Sequence, residues 1–355
     1  MAALKMRVSQ ILIIAVASAL LGLPYVFLYR KPSVQHMLSN FSSSLLQPYE
    51  HMITREHNTE LQYILSRAAM PNKTVIITTL NEAWAAKGTM IDLFLLSFRR
   101  GKNIEHLLEH LVIVTLDRKA HERCLQLHPY CFILETPGVD FAGEKSFMSE
   151  DYLKMMWRRI RFLGDVLEMG YSFVFSDADV LWVRDPFPNF AKDSDFQIAC
   201  DKYIGGPYDV GMNAPNGGFL YVRSNEHTIA MYRYWYAARL RVPGKHDQDV
   251  LSVVLQEKSF GRLGVKIRFL ETLYFSGFCQ MSKDMKRVVT IHANCCKGGL
   301  SNKLKDLQLA LDDWRSYNGL LPSNQDTRSN TNPHWRVPLS CRRSKWMWWR
   351  RHKLL

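Results

Sequence analysis

Short apolar runs alternate with amphipathic stretches through the first half of the chain, and this pattern predicts strands that alternate with helices. The runs rich in β-branched and aromatic residues have the length and composition of buried strands; they are residues 74–80, 111–116, 130–134 and 173–175. Helical patterns fill the intervals, at 90–100, 118–128 and 149–169. This rhythm favours βαβ units and a mainly parallel sheet flanked by helices.

The helix predicted after Ser149 has the clearest signals. Ser149 is a typical N-cap residue, an apolar stripe runs to Leu167, and Gly170 ends the pattern. The stripe is read as a core face. The basic residues of this helix, Lys154, Arg158, Arg159 and Arg161, are expected to face solvent, with one of them able to reach a phosphate.

The second half of the body mixes strands and helices less regularly. Strands are predicted at 195–200, 218–222, 265–270 and 288–291, and helices at 227–239 and 249–257. A glycine-rich loop at 205–218 suits close approach of a ligand to the backbone. The α/β class therefore holds throughout.

A pair of carboxylates directly follows the strand at 173–175. If that strand continues, side chains alternate, so Asp177 and Asp179 point to one side and Ala178 to the other. Adjacent carboxylates suit Mg²⁺ or Mn²⁺, which complete their shells with substrate phosphates. Open α/β sheets bind ligands at the carboxyl ends of their strands. The pattern favours a metal site here, with a polar turn as the alternative.

Three further motifs combine polar residues with flexible backbone, and each also has a purely structural explanation. Asn216-Gly217-Gly218 offers an amide and bare backbone, or a turn. The segment from His246 to Asp249 carries acids, or simply caps a helix. His292, followed by Lys297 and Gly298, suits a diphosphate site, although a single histidine is more often structural.

The ends of the chain differ from the body. Residues 11–29 carry no charge and are long enough to cross a bilayer, which predicts an uncleaved anchor rather than a cleaved signal peptide or a buried helix. Residues 1–10 would be its tail and 30–71 a polar stem. Basic residues on both sides of the span leave its orientation open. The basic, Trp-rich residues 319–355 are expected to form a disordered or membrane-contacting tail.

Charge and cysteine content give little further information about function. Most of the net charge of +13 lies in residues 1–31 and 334–355, so the nearly neutral body gives no support for nucleic-acid binding. The seven cysteines are too scattered for a disulfide scaffold. Cys124 and Cys131 are the nearest candidates for a pair, and buried free thiols are an equally good alternative.

The motifs are more informative together than singly. The order TVIITTLNEAW, FSDADVLWVRDPF, NGGFLYVRS, HDQDVL and HANCCKG resembles the plant nucleotide-diphospho-sugar transferases of glycosyltransferase family 77, over roughly residues 72–318. The resemblance implies a GT-A fold, a Rossmann-like mixed sheet flanked by helices. It also implies a retaining glycosyltransferase with type II topology, whose catalytic domain lies in the Golgi lumen.

The resemblance assigns roles to individual residues. It implies that Asp177, Asp179 and His292 bind Mn²⁺ or Mg²⁺. It implies that Thr79 and Asn81 line the nucleotide pocket and that Asn216 and Gly217 line the sugar and acceptor side. Asp247 would hold sugar hydroxyls, Gln248 would lie near the anomeric carbon, and Asp249 completes the catalytic motif. Lys297 and Gly298 would meet the phosphates, but the loop there looks one residue longer than usual, which makes Lys303 the substitute.

The activity implied is transfer of xylose, arabinose or galactose from a UDP-sugar to a polysaccharide or glycoprotein acceptor of the cell wall. The alternative is an inactive relative that binds glycans or scaffolds a Golgi complex. A metal-dependent phosphoryl or nucleotidyl transferase is less favoured, because the sequence has no P-loop or kinase motif. Asn40 and Asn72 begin glycosylation sequons, which matter only if this side of the membrane is lumenal.

Overall fold

The computed structural model describes residues 55–136, 138–319 and 334–342, with side chains from residue 58 onward. All of them belong to one compact unit, residues 51–355. The predicted anchor, residues 11–29, and the first sequon lie outside the described residues. Within the described ranges, no helix is both long enough and apolar enough to cross a bilayer.

A seven-stranded mixed sheet forms the centre of this unit, in the order β3-β2-β1-β4-β7-β6-β8. Its strands are β1 (Thr74–Leu80), β2 (Leu111–Thr115), β3 (Cys131–Ile133), β4 (Ser172–Ser176), β6 (Phe196–Lys202), β7 (Ala214–Val222) and β8 (Ile267–Phe269). The first four strands in this order are parallel to one another. Only β7 runs antiparallel to both β4 and β6. The expected mixed α/β sheet is therefore present, and its parallel half is the part with βαβ periodicity.

A second sheet has three short strands, in the order β5 (Val180–Trp182), β10 (Thr290–His292) and β9 (Phe275–Gly277). Its strand β5 follows β4 directly in the chain. The strand β10 pairs antiparallel with β5, and its register places His292 opposite Val180. Two segments more than a hundred residues apart in sequence are thereby brought together. This pairing builds one side of the candidate site.

Helices surround the sheets, and most lie where the apolar periodicity predicts them. They are α1 (Arg55–Ala68), α2 (Glu82–Ala85), α3 (Met90–Arg100), α4 (Arg118–Leu127), α5 (Glu150–Glu168), α6 (Glu226–Ala238), α7 (Asp247–Val254), α8 (Lys258–Gly261) and α9 (Gly299–Tyr317), with 3₁₀ turns at Glu105–His110 and Phe187–Asn189. The hydroxyl of Ser149 accepts a hydrogen bond from the Tyr152 amide at 3.2 Å, so the predicted cap of α5 is confirmed.

The folded body begins earlier than the sequence pattern suggests. Residues Arg55–Ala68, predicted to belong to the stem, form the helix α1, which packs against β2 and β3. Its buried residues include Leu61, Leu65 and Ala68. The prediction of an irregular stem up to residue 71 was wrong here, because four apolar positions on a mostly polar helix give a weak periodic signal.

The last described segment, residues 334–342, is also part of the body and not a free tail. The Trp335 ring nitrogen donates to the Ser282 carbonyl at 2.8 Å. The Asp306 carboxylate, which is buried in α9, accepts from the backbone amides of Ser340 and Cys341, both at 2.9 Å. A composition rich in basic residues and tryptophan hides this docking, since the contacts are made largely by the backbone.

Disulfides hold several of these segments. All seven cysteines lie in the described part of the chain, and six of them pair, as Cys124–Cys131, Cys279–Cys295 and Cys296–Cys341. Cys200 remains a buried thiol. The candidate pair Cys124–Cys131 is confirmed. The other two pairs, 16 and 45 residues apart, were not predicted, because they depend on tertiary contacts that spacing does not reveal.

Candidate functional site

The two carboxylates of the DAD motif lie in a tight turn that joins β4 to β5. The strand stops at Ser176, and the Val180 amide donates to the Asp177 carbonyl at 3.2 Å. The strand therefore does not continue through the motif, and the prediction from side-chain alternation was wrong. The turn itself brings the carboxylates to the same place, at the carboxyl end of a central strand.

Buried aromatic packing fixes the two strands that flank this turn. The Trp182 ring stacks on Phe98 of α3 with centroids 4.7 Å apart. Its indole nitrogen donates to the Ser176 hydroxyl, and its backbone amide donates to the Ser97 hydroxyl, both at 3.0 Å. Because both strands that flank the turn are anchored to the core, the carboxylates are held in place before any ligand arrives.

Asp177, Asp179 and His292 come together at this turn. One potential ligand atom from each lies within 4.8 Å of the others. Two carboxylates and one imidazole form a donor set that suits a hard divalent ion such as Mn²⁺ or Mg²⁺. Gly218 forms the floor: a Cβ there would lie 2.4 Å from His292 Cε1 and 2.6 Å from Asp177 Oδ2. The residues present therefore fit a metal ion.

Two cationic groups surround Asp179. The His292 Nε2 lies 3.3 Å from one carboxylate oxygen and the Lys303 ammonium 2.5 Å from the other. Burial alone would raise the pKa of Asp179, but Lys303 and His292 outweigh it and hold that pKa below its usual range. Burial likewise opposes protonation of His292, yet the Asp179 carboxylate raises the pKa of the imidazole.

Lys303, on the first turns of α9, is thus the lysine that contacts the carboxylate pair, whereas Lys297 was the first candidate for meeting the phosphates. Lys297 is exposed, just before the helix. Gly298 caps the helix in a left-handed conformation, at a φ of 109°. The Leu300 amide at this end donates to the Glu144 carboxylate at 3.0 Å. The structure therefore places Lys303, and not Lys297 or Gly298, beside the carboxylate pair.

Arg159 connects this cluster to the HDQD motif. From α5, its guanidinium donates to Asp177 at 2.8 Å and to Asp247 at 2.6 Å, and its side chain is 6% exposed. Burial, opposed by Arg159 and reinforced by the Asp179 charge, raises the pKa of Asp177. For Asp247 the pairing with Arg159 outweighs burial and lowers the pKa. The expectation that the basic residues of this helix face solvent was wrong for Arg158, Arg159 and Arg161, which are all buried.

A network of side-chain amides adjoins this bridge. The Gly217 amide donates to the Gln248 side-chain carbonyl at 3.1 Å. Asp201, at the end of β6, accepts from the amide groups of Asn216, Asn294 and Gln248, at 2.8, 2.8 and 3.2 Å. The structure thus brings Asn216, Gly217 and Gln248 together. Asp201 and Asn294 were missed from the sequence, although Asn294 lies inside the HANCC motif.

A second cluster of candidate ligand atoms, on Asp201, Cys279 and Cys295, has a different meaning. The two cysteines are joined in a disulfide, so their sulfurs are not thiolates that bind metal. The Cys279 backbone amide donates to the side-chain oxygen Oδ1 of Asn294 at 3.0 Å. The disulfide therefore stabilises the loop that carries Asn294, and it does not form a second metal site.

Thr79, Asn81 and Asp249 occupy more peripheral positions. Thr79 is half-buried near the end of β1. Asn81 is buried and caps α2, and its amide donates to the carbonyls of Phe141 and Gly143 at 3.1 and 2.7 Å. It therefore fixes the loop that precedes α5. The Asp249 carboxylate is half-exposed, 3.5 Å from His246 Nε2, and is not among the acids that Arg159 joins.

Comparisons with known proteins show what this chain is similar to. A profile of the nucleotide-diphospho-sugar transferase family matches residues 106–307. The uncharacterized protein At4g15970 of Arabidopsis thaliana is 48% identical over 84% of this chain and 78% of its own length. UDP-D-xylose:L-fucose alpha-1,3-D-xylosyltransferase 3 of the same plant is 26% identical over 56% of this chain and 46% of its own.

Among solved structures, the glycosyltransferase GlyE of Streptococcus pneumoniae TIGR4 is similar with a TM-score of 0.40. The sequences are 14% identical, over 71% of this chain and 66% of that chain. The sheet order and the residues gathered at the turn after β4 carry the structural argument for this chain.

Proposed function

Because the chain belongs to the nucleotide-diphospho-sugar transferase family, we propose that it is a metal-dependent glycosyltransferase that retains the configuration of the transferred sugar. The observation that carries this proposal is the convergence of Asp177, Asp179 and His292 at the carboxyl end of β4. Open α/β sheets bind nucleotides at this edge.

Asp177, Asp179 and His292 would hold the divalent ion, which would stabilise the negative charge that develops on the departing diphosphate. Lys303 already contributes a positive charge 2.5 Å from Asp179 and is positioned to meet a phosphate oxygen. Arg159 holds Asp177 and Asp247 in fixed orientations. No strongly basic nucleophile is required for such a leaving-group reaction.

The sugar would lie over the side chains of Asp247 and Gln248 and the backbone of Gly217, which donates to Gln248. Asp247 is buried and accepts a hydrogen bond from Arg159 through one oxygen, and its other oxygen lies 3.6 Å from His246 Nδ1. We assign this carboxylate to a hydroxyl of the sugar. Gln248 is held by Gly217 and Asp201, which orients its amide without a charge. A neutral, oriented group of this kind is suited to lie beside an anomeric carbon, where positive charge develops.

The names of the relatives supply the first candidates for the donor and the acceptor. We propose a UDP-sugar donor, with UDP-xylose first and UDP-arabinose and UDP-galactose next. For the acceptor we propose a cell-wall polysaccharide or glycoprotein, with a fucoside as the first probe because a relative's name specifies UDP-D-xylose and L-fucose. The anomeric configuration of the product, read by NMR, tests retention.

The three disulfides support a body that folds in an oxidising compartment, since such bonds are rare in the cytosol. We therefore keep the proposal of a type II protein of the Golgi membrane, anchored by residues 11–29, with its catalytic domain in the lumen. This location would provide nucleotide sugars, glycan acceptors and divalent ions together.

The experiment compares Asp179→Asn with Asp185→Asn. The Asp185 carboxylate accepts from the Phe187 amide at 2.9 Å and so belongs to a neighbouring turn. We expect Asp179→Asn to lower transfer and donor hydrolysis by about 10²–10³-fold, the usual cost of one preorganised electrostatic group. Asp185→Asn should remain active. The unchanged fold is checked by circular dichroism.

Binding provides the second measurement. Mn²⁺ should raise the melting temperature of the wild-type protein far more when UDP is present than alone, and Asp179→Asn and His292→Ala should abolish that increment. If the wild-type protein neither hydrolyses any UDP-sugar nor shows the increment, the glycosyltransferase proposal is wrong. Glycan binding without either property would favour the scaffold alternative.

A further inference from the structure

An exposed aromatic ring lies at the rim of the candidate site and packs against two of its walls. Phe147 is 69% exposed. Its ring makes edge-to-face contacts with Tyr152 of α5 and with His246, with centroids 5.3 and 5.5 Å apart. The ring therefore offers apolar surface beside the site, and a ligand that covers it gains the free energy of removing that surface from water.

The backbone holds this ring outward at some conformational cost. Met148, the next residue, has a φ of 68°, which lies in the left-handed region that residues with a side chain rarely occupy. The turn is closed by the Ser149 amide, which donates to the Ser146 carbonyl at 3.0 Å. Strained residues of this kind are found preferentially at ligand-binding sites.

The segment that carries Phe147 is fixed at several points. Asn81 holds the carbonyl of Gly143, and Glu144 accepts from the Leu300 amide. Lys145 forms an ion pair with Asp151, at 3.6 Å, in the first turn of α5. The ring is therefore presented by a positioned loop, which reduces the entropy that a ligand would lose on binding to it.

Both neighbours of Phe147 lead directly to the sugar-binding residues proposed above. His246 precedes Asp247, and its Nδ1 accepts a hydrogen bond from the Gln248 backbone amide at 3.2 Å. Tyr152 lies on the same face of α5 as Arg159, two turns earlier. Burial raises the pKa of the Tyr152 phenol, and the Asp247 carboxylate adds to this effect.

We propose that the exposed face of Phe147 binds a sugar ring of the acceptor glycan, with Tyr152 and His246 as its supports. This inference rests on the proposed function. The donor must place its diphosphate at Asp177 and Asp179, whereas Phe147 lies on the solvent side of the HDQD segment. The face of a pyranose that carries mainly C–H groups packs well on an aromatic ring.

The experiment is Phe147→Ala, with Tyr63→Ala as the matched control. Tyr63 is a comparably exposed aromatic residue, at 66%, on α1. For Phe147→Ala we expect a KM for the acceptor that rises about three- to tenfold, the range that corresponds to the loss of one aromatic contact. Hydrolysis of the donor by water, which needs no acceptor, should change far less. Phe147→Trp should restore the wild-type KM.

Saturation-transfer NMR on the full chain tests the same contact without turnover, with methyl glycosides of fucose, galactose and arabinose as probes. We expect transfer to at least one glycoside, lost in Phe147→Ala and kept in Tyr63→Ala. An unchanged acceptor KM, or equal losses of hydrolysis and transfer, would overturn the inference while leaving the proposed function intact. Self-association that Phe147→Ala abolishes, without any glycoside signal, would instead identify a protein interface.

Discussion

Arg159 shows what a single residue contributes to the site and why the sequence conceals it. On the helix α5 it looks like one of several basic residues outside the apolar stripe. Its partners are 18 and 88 residues away in sequence, so neither can be inferred from local periodicity. One buried cation is shared by two carboxylates, and each of the three groups therefore depends on the other two.

Removing this cation should cost stability as well as activity. We expect Arg159→Met to lower the free energy of unfolding by about 3–5 kcal/mol, because Asp177 and Asp247 are left without their shared partner. The measurement is urea denaturation followed by fluorescence. Arg123→Met is the matched control, since Arg123 pairs with Asp92 at 2.9 Å on a more exposed part of the surface and should cost about 1 kcal/mol or less.

Coupling between the residues is the sharper test. If Arg159 acts by neutralising Asp247, the double variant Arg159→Met with Asp247→Asn should lose less stability than the sum of the two single variants. Strict additivity would show that the bridge, although close in the structure, contributes no net interaction free energy. Arg159 would then matter through packing alone, for example through its contact with the Phe175 ring, whose centroid is 4.9 Å from the guanidinium carbon.

At the scale of elements, the sequence predicts the parts whose signals are local. The strands β1, β2 and β4 and the helix α5 were predicted because each carries its own hydrophobic period, and α5 also carries its own cap. The parts that were missed depend on partners. The strands β5 and β9 are three residues long, and β5 is stabilised by pairing with β10 across a long sequence interval.

The candidate site shows the same division. The motifs pointed to Asp177, Asp179 and His292, and the structure gathers them, although by a turn and a distant strand pairing instead of by alternation. Asp201 was not predicted, because it follows a buried cysteine in an ordinary strand. Its carboxylate accepts hydrogen bonds from three side-chain amides on other elements, which the sequence does not reveal. Residue types can suggest a role, but a positioning role requires the contacts.

The docked segment of residues 334–342 provides a prediction at this scale. The disulfide Cys296–Cys341 joins it to the loop before α9. Replacing both cysteines by alanine should lower the stability by about 2–4 kcal/mol, the typical contribution of one disulfide. The variant should also become susceptible to proteolysis near residue 334, because the backbone contacts to Asp306 must then hold the segment alone.

The control for this prediction is the Cys124–Cys131 pair, which closes a short loop between α4 and β3. Its double alanine variant should lose stability without exposing the C-terminal segment to protease. Limited proteolysis followed by mass spectrometry separates the two effects. Resistance of the Cys296, Cys341 double variant would mean that hydrogen bonds to Asp306 and Ser282 suffice to dock the segment.

For the whole molecule, charge and cysteine chemistry point to the compartment more than to the partner. The excess of positive charge lies at the two ends of the chain, so the body that carries the site has no basic face dictated by composition. One of its disulfides, in contrast, lies next to the site. Cys279–Cys295 flanks Asn294, which contacts Asp201 and through it the amides of the sugar side.

The number of thiols in protein isolated from cells tests the proposed lumenal location. In the oxidised chain only Cys200 remains a thiol, and burial, together with the nearby Asp201, raises its pKa to about 12. Alkylation at pH 8 should therefore label no cysteine in the native protein and one after denaturation without reductant.

Glycosylation provides a second test of the same location. Treatment with glycosidase should shift the gel band of the protein, and the shift should disappear in the double variant Asn40→Gln, Asn72→Gln. Asn72 is exposed next to β1, so a glycan there does not disturb the core. Seven reactive thiols after denaturation, together with an unshifted band, would place the body in a reducing compartment and contradict the type II topology.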